Sequence, residues 1–225
     1  MNRIALFVHA GLGPEPQIQQ DHAIGVLTEL VQAVVGSGLR QQAEVFEIGV
    51  NGGLPFCYTA LLIAPTAKVK GHPHTARSEL PTLARLQRWL PDHPGWSVCY
   101  CHTKGASRPG DPLRDAWRRC MTRHVIWNWR KCVADLEAGA DSVGCHWMTP
   151  ERWGAALLPT KTPYWGGNFF WAKASFLLTL PKLTEDEKSM ADFYLPERWI
   201  GEGPRRPAVR DYHPNAWPSL KCAYT

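Results

Sequence analysis

Several signatures that would announce a chemistry are missing from this chain. There is no Gly-x-x-x-x-Gly-Lys-[Ser/Thr] loop, no Gly-x-Gly-x-x-Gly fingerprint and no Gly-x-Ser-x-Gly elbow. These absences argue against a P-loop enzyme, a dinucleotide-dependent dehydrogenase and a lipase-type hydrolase. No Asp-x-Asp pair occurs either, so no carboxylate couple of that form is offered to a divalent ion. The seven cysteines (57, 99, 101, 120, 132, 145 and 222) include no Cys-x-x-Cys. Their odd number and irregular spacing argue against a disulfide framework and a structural zinc site, and predict reduced thiols in a cytosolic protein. No apolar run approaches the roughly 20 residues of a membrane span. The first residues lack a basic segment followed by a long apolar one, so no signal peptide is expected. The formal charge is +5 with no long basic run, which speaks against a nucleic-acid-binding arm.

What is present suits a packed enzyme-sized unit. The chain has 225 residues, 44% of them hydrophobic, and eleven tryptophans, enough for one sizeable core and for aromatic binding surfaces. Ile4–Val8 is a short apolar run, followed by the Gly11–Pro16 loop. Gln17–Val35 carries Ile24, Leu27, Leu30, Val31 and Val34 at helical spacing and stops at Gly36-Ser37-Gly38. Glu44–Val50 and Ala60–Ala64 are expected strands, Ser78–Leu90 a helix, and Trp96–Cys101 a buried strand. A long helix opens at Asp111 or Pro112 and runs to about Leu136. Asp141–Trp147 and Trp165–Ala172 are further strand candidates, Ala174–Leu180 starts a helix, and the chain is loop-like from Gly201. The alternation predicts a single α/β domain with a mostly parallel central sheet flanked by helices. The expected organisation is one domain with a first half over about 1–110, a second half over about 111–205, and a tail over 206–225.

The most informative segment is His102-Thr103-Lys104-Gly105, directly after the Trp96–Cys101 run. Ligands of open α/β sheets sit beyond the carboxyl ends of strands. An ammonium, a hydroxyl and a glycine that permits close backbone approach suit an anion such as a diphosphate there. The alternative is a strand end with solvated polar residues. Trp165-Gly166-Gly167-Asn168-Phe169-Phe170-Trp171 offers aromatic faces and an amide, which suit sugar rings, or else a turn entering a core strand. Glu197, after Pro196, is a candidate base or acceptor-binding carboxylate, or else a helix-N-terminal Glu favoured by the dipole. His72-Pro73-His74 is a weak metal pair, His124 reads as a core or supporting residue, and Cys99 and Cys101 as inert buried thiols.

Taken in order, several motifs resemble a family of bacterial glycosyltransferase-like proteins of surface-polysaccharide loci. They are Gly38-Leu39, Glu79-Leu80-Pro81-Thr82-Leu83, Tyr100 to Gly105, Trp117-Arg118 with Met121, Asp141 to Cys145, Gly167 to Ala172, and Glu197 to Gly201. The resemblance spans about Gly38 to Gly201; the N-terminal loop and the tail depart from it. It implies a glycosyltransferase-A-like fold and transfer of a sugar from a nucleotide-diphosphate donor, a uridine diphosphate sugar being the commonest expectation. The acceptor it implies is a glycan or lipid-linked molecule, with peripheral membrane association and a cytoplasmic location. Where many such folds carry Asp-x-Asp for a metal, this chain has His102-Thr103-Lys104, so side-chain cations are expected to replace Mn²⁺ or Mg²⁺ on the leaving diphosphate.

The roles that follow are specific. Lys104 and His102 bind the donor phosphates, Thr103 and Gly105 shape that loop, and Arg118 or Arg114 adds a second cation. Gly167, Asn168 and Trp171 meet donor or acceptor sugar. Glu197 deprotonates the acceptor hydroxyl if configuration inverts, and orients it if configuration is retained. The rival readings are a non-catalytic carbohydrate- or nucleotide-binding module, an RNA-binding protein using the helix arginines, and a hydrolase pairing Glu197 with Asp192.

Overall fold

The computed structural model describes residues 3–11, 17–72, 78–153, 160–192 and 194–213. Loop residues 12–16, Pro73 and His74 of the His72 motif, Cys222 and the last part of the expected tail lie outside the described residues.

Among the described residues nine strands are formed: β1 Ile4–Gly11, β2 Ala43–Asn51, β3 Lys68–His72, β4 Ser97–His102, β5 Ser142–Gly144, β6 Trp147–Met148, β7 Tyr164–Trp165, β8 Phe170–Lys173 and β9 Val209–Asp211. The α-helices are α1 Gln17–Gly36, α2 Leu39–Gln42, α3 Leu54–Ile63, α4 Leu80–Trp89, α5 Pro112–Met121, α6 Trp129–Glu137, α7 Pro150–Trp153, α8 Ala174–Leu177, α9 Glu187–Ala191 and α10 Leu195–Arg198. Seven strands make one sheet in the order β3-β2-β1-β4-β8-β5-β9. The β1/β2, β1/β4, β2/β3 and β5/β9 pairs are parallel, whereas β8 runs antiparallel to both β4 and β5. β6 and β7 form a separate antiparallel pair. The result is a single α/β domain with a mostly parallel sheet flanked by helices.

The period-2 alternation of β1 explains the layering. Ile4, Leu6 and Val8 face a core shared with Leu27, Leu30, Val34, Val125, Ile126 and Trp129. Ala5 and Phe7 face the opposite core with Leu80, Leu83, Leu86, Trp165 and Trp199. A strand covered on both sides reads as a near-continuous apolar run, and β1 is buried from Ile4 through Ala10, its one polar side chain there, His9, being hydrogen-bonded to Thr82 at 2.8 Å. The long helix begins as expected: Asp111 caps it, its carboxylate accepting from the backbone N–H groups of Leu113 and Arg114. A π-helical turn over Thr122–Trp127 separates α5 from α6.

Three expectations are corrected. The thiols are not all reduced: Cys120 is disulfide-bonded, while Cys57, Cys99, Cys101, Cys132 and Cys145 are free. Ala60–Ala64 is not a strand: it is the end of helix α3 and its C-cap, which Pro55 opens in the first turn. The Leu-Leu-Ile run resembles a strand only if the helix start signal at Gly53-Leu54-Pro55 is overlooked. The third strand is instead Lys68–His72, an edge strand whose alternating lysines give little apolar signal. The segment beyond Gly201 is also not wholly loop, since β9 pairs with β5. Among the described residues no helix is long and apolar enough to cross a membrane.

Candidate active site

β4 ends at His102, and the chain turns at once. The Thr103 N–H donates to the carbonyl of His9 at 3.0 Å, and the Thr103 hydroxyl accepts from the Gly11 N–H at 3.0 Å. This ties the loop after β4 to the end of its neighbour β1. Gly105 adopts φ +84°, the left-handed region that favours glycine. Lys104 leaves this turn with its Nζ 3.3 Å from Glu197 Oε1 and 4.7 Å from the centre of the Trp117 ring. Arg118 reaches the same turn, donating from a terminal nitrogen to the Lys104 carbonyl at 3.2 Å. It also pairs with Asp115 at 2.6 Å and Glu29 at 2.9 Å.

His102 has partners within the protein. Its Nε2 donates to the Gly167 carbonyl at 2.8 Å, and its Nδ1 stands 3.7 Å from Glu79 Oε1. Burial, then the Lys104 charge, push its pKa down to about 3, so the imidazole is neutral. Gly167 sits at φ +82° and Asn168 at φ +53°. This turn is compatible with those signs because glycine and asparagine are the residues that accept them most readily. Asn168 is fully buried and donates from Nδ2 to Glu79 Oε2 at 3.0 Å and to the Pro196 carbonyl at 3.3 Å.

Glu79 therefore occupies the centre of the cluster, although the sequence singled it out only within a motif and gave it no role. Its Oε2 also accepts from Tyr100 Oη at 2.7 Å. Burial raises its pKa to about 7, against the opposing pull of Tyr100, Lys104 and Asn168. Its burial depends on β4, the turn before β8 and the start of α4 meeting. A polar residue just before the apolar stripe Leu80, Leu83, Leu86 was the only local clue.

The structure brings together Lys104, His102, Thr103, Gly105, Arg118, Gly167, Asn168 and Glu197. It does not bring Trp171 to them. Trp171 points into the core, wholly buried, with its Nε1 donating to the Val125 carbonyl at 2.8 Å. Trp117, on α5, is the tryptophan beside Lys104. Three buried polar atoms around the cluster have no hydrogen-bond partner among the described residues: Trp117 Nε1, Arg118 Nε and Asn168 Oδ1. Such atoms are uncommon in a folded core. The other two arginines of α5 are paired, Arg114 with Asp111 at 3.0 Å and Arg119 with Glu29 at 3.4 Å.

A family described as Domain of unknown function (DUF8361) matches residues 41–213. No curated protein matches the chain. Among solved structures, a 4-diphosphocytidyl-2C-methyl-D-erythritol synthase is similar over 94% of this chain and 89% of its own, with 10% identity and a TM-score of 0.48. A protein described as a nucleotide-diphospho-sugar transferase, from Desulfovibrio desulfuricans G20, is similar over 95% of this chain and 80% of its own, with 13% identity and a TM-score of 0.45.

Proposed function

The chain belongs to the DUF8361 family, and we propose that it is a glycosyltransferase that takes a sugar from a nucleotide diphosphate without using a metal. One observation carries this reading: a lysine ammonium held at the carboxyl end of β4, with one carboxylate and one aromatic face as its neighbours. The Lys104 and Glu197 side chains are only 13% and 14% exposed. A donor diphosphate entering here takes Glu197's place as the anion on Lys104. That exchange frees the Glu197 carboxylate to accept the proton of an acceptor hydroxyl, while Lys104 stabilises the charge growing on the leaving diphosphate. Thr103 and Gly105 shape the loop, and Arg118 fixes it through the Lys104 carbonyl. His102, being neutral, orients the Gly167-Asn168 turn rather than adding charge. Asn168 Oδ1 and Trp117 Nε1 are the groups offered to sugar hydroxyls.

The side chains here do not suit a divalent ion. The Lys104 ammonium repels one, Glu197 is engaged by that ammonium, and Glu79 is held by Tyr100 and Asn168 and shifted toward its neutral form. A lipid-linked acceptor, in surface-polysaccharide synthesis, is favoured by helix α3, which starts just beyond the end of β2 on the same edge of the sheet. Its Leu54 and Leu62 are 72% and 84% exposed, with Tyr58 and Leu61 on the same stripe. No Asp or Glu occurs between Glu47 and Glu79, while Lys68 and Lys70 lie on the adjacent edge strand. An apolar stripe flanked by lysines and free of acids suits an anionic membrane surface. The RNA reading is disfavoured for the α5 arginines, because Arg114, Arg118 and Arg119 are each paired with an acid of the protein itself.

The test is a calorimetric titration with UDP, GDP, CDP and TDP, each with and without Mn²⁺, of the wild type and Lys104→Ala. Binding of one diphosphate that needs no added metal and is lost in the variant is the expected result. Binding only with Mn²⁺ removes the cation-for-metal role, and binding by no form removes the donor site altogether.

A further inference from the structure

Trp117, whose ring carries Lys104, also packs against the His146 ring at 6.1 Å. Beyond it lies a second cluster that the proposed reaction does not use. Cys120 comes from the last turn of α5 and His124 from the π-helical turn that follows. The two are four residues apart and so lie on one helical face. His213 arrives from the segment after β9. Its Nε2 is 2.9 Å from His124 Nε2. The sulfur of Cys120 and one nitrogen from each of these histidines lie within 4.8 Å of one another. His146 Nε2 is 3.9 Å from the Cys120 sulfur, and its ring is 5.7 Å from that of His213.

The arrangement is braced from behind. The Asp211 carboxylate accepts the backbone N–H groups of His146, Trp147 and His213 at 2.9, 3.0 and 3.0 Å. Cys120 itself is disulfide-bonded in this structure. It also forms part of the wall of a cavity of about 450 Å³, together with Glu29, Gln32, Arg119, Arg123 and Trp127.

We propose that reduction of the Cys120 disulfide opens a zinc site made by the Cys120 thiolate, His124 Nε2 and His213 Nε2, with His146 placed for a fourth position. A thiol reductant supplies two electrons and two protons. The S–S bond breaks, two protein thiols form, and the reductant leaves as its own disulfide. The Cys120 thiol then gives its proton to solvent as the zinc–sulfur bond forms. One thiolate with two or three imidazoles is a donor set that suits Zn²⁺. Tetrahedral ligands at zinc–nitrogen distances of about 2.0–2.1 Å stand roughly 3.3 Å apart, so the two histidine nitrogens need open by only a few tenths of an ångström. The bound ion ties the segment after β9 to the α5–α6 junction. It lies on the other side of Trp117 from Lys104 and uses none of the residues assigned to the donor.

The experiment uses the full chain, stripped of metal, either oxidised or reduced with dithiothreitol that is then removed under argon. Zinc ion alone is titrated in competition with a chromophoric chelator, and bound metal is counted by elemental analysis. One zinc per reduced chain and none per oxidised chain is expected. Cys120→Ser, His124→Ala and His213→Ala each weaken binding at least tenfold, and all keep the wild-type response to nucleoside diphosphate. Cobalt(II) added to the reduced wild type gives a thiolate charge-transfer band, a readout that needs no variant to fold. A reduced chain that takes no stoichiometric zinc, an oxidised chain that takes as much, or a cobalt spectrum without the thiolate band overturns the site and leaves the two histidines as a hydrogen-bonded pair.

Discussion

Lys104 Nζ stands 3.3 Å from Glu197 Oε1, joining the end of β4 to helix α10 across 93 residues of sequence. Neither partner is well hydrated, so removing one leaves the other charge poorly compensated, a loss that in buried pairs costs about 3–5 kcal/mol. Glu197→Gln keeps a hydrogen-bond acceptor beside Lys104 but cannot take a proton. It is expected to bind the donor diphosphate within about threefold of wild type while turnover falls by about 10²–10⁴, the usual worth of a positioned base. Isothermal calorimetry and a release assay for the nucleoside diphosphate check both halves. A fully active Glu197→Gln removes the residue from proton transfer.

The part of this pair that local sequence could show is Lys104. A buried strand followed by polar residues and a glycine is a short-range pattern, and the sheet places strand ends predictably. Glu197 was visible as a carboxylate, but only tertiary packing shows that it faces Lys104. Glu79 was invisible as a titrating group, because its environment is assembled from Tyr100 on β4 and Asn168 before β8. The Gly167-Asn168 turn was legible from its residue types, whereas Trp171, expected to meet sugar, lies in the core, and Trp117 is the tryptophan beside Lys104. Trp171 is three residues past Asn168 on a strand covered on both faces, so it serves the core, while Trp117 comes to Lys104 from a helix some fifty residues earlier in the chain. The same limit explains α3: a short apolar run fits helix or strand, and its start signal decides.

Glu79 makes the stability depend on pH. Its pKa is raised from 4.5 in the unfolded chain to about 7 in the fold. Below about 4.5 the carboxyl is protonated in both states and folding carries no penalty from it. As pH rises through 7 the folded state must bury a charge, and stability is lost, by about 3 kcal/mol at full ionisation. His102 works in the opposite direction: its depressed folded pKa gives stability that is present above 6.5 and lost as pH falls toward about 3. The two slopes oppose each other between 4.5 and 6.5, so wild type alone does not isolate Glu79. Urea unfolding of wild type and Glu79→Gln at several pH values does. The difference between them is expected to favour the variant increasingly from pH 5 to 8; a constant difference would show that Glu79 titrates normally.

Trp171→Phe separates core from contact. The substitution removes the indole N–H from the Val125 carbonyl and leaves space in a fully buried site. An unpaired carbonyl and a small cavity together cost about 1–3 kcal/mol. Chemical denaturation is expected to show that loss, with diphosphate affinity unchanged. Trp117→Phe is expected to do the reverse, weakening ligand binding with a smaller effect on stability. Loss of sugar or nucleotide binding in Trp171→Phe without loss of stability would return that residue to the site.

Gly167 couples the turn to the helix beneath it. A Cβ added there meets Met121 Sδ at 2.7 Å and Cε at 2.8 Å, and its φ of +82° disfavours any L side chain. Gly167→Ala therefore carries two separable costs: a backbone cost of about 1 kcal/mol, and a packing cost that depends on how far the end of Met121 can move. The carbonyl of Gly167 is also the acceptor for His102, so a shifted turn loosens His102 and draws Asn168 away from Glu79. The expected result is a loss of about 2 kcal/mol in urea unfolding, within the range for overpacking, together with weaker diphosphate binding. Met121→Ala opens the space that the new methyl needs, though by itself it costs core packing. In a double-mutant cycle the pair should lose less than the sum of the singles, the shortfall measuring the steric part. Strict additivity would assign the whole effect to the backbone.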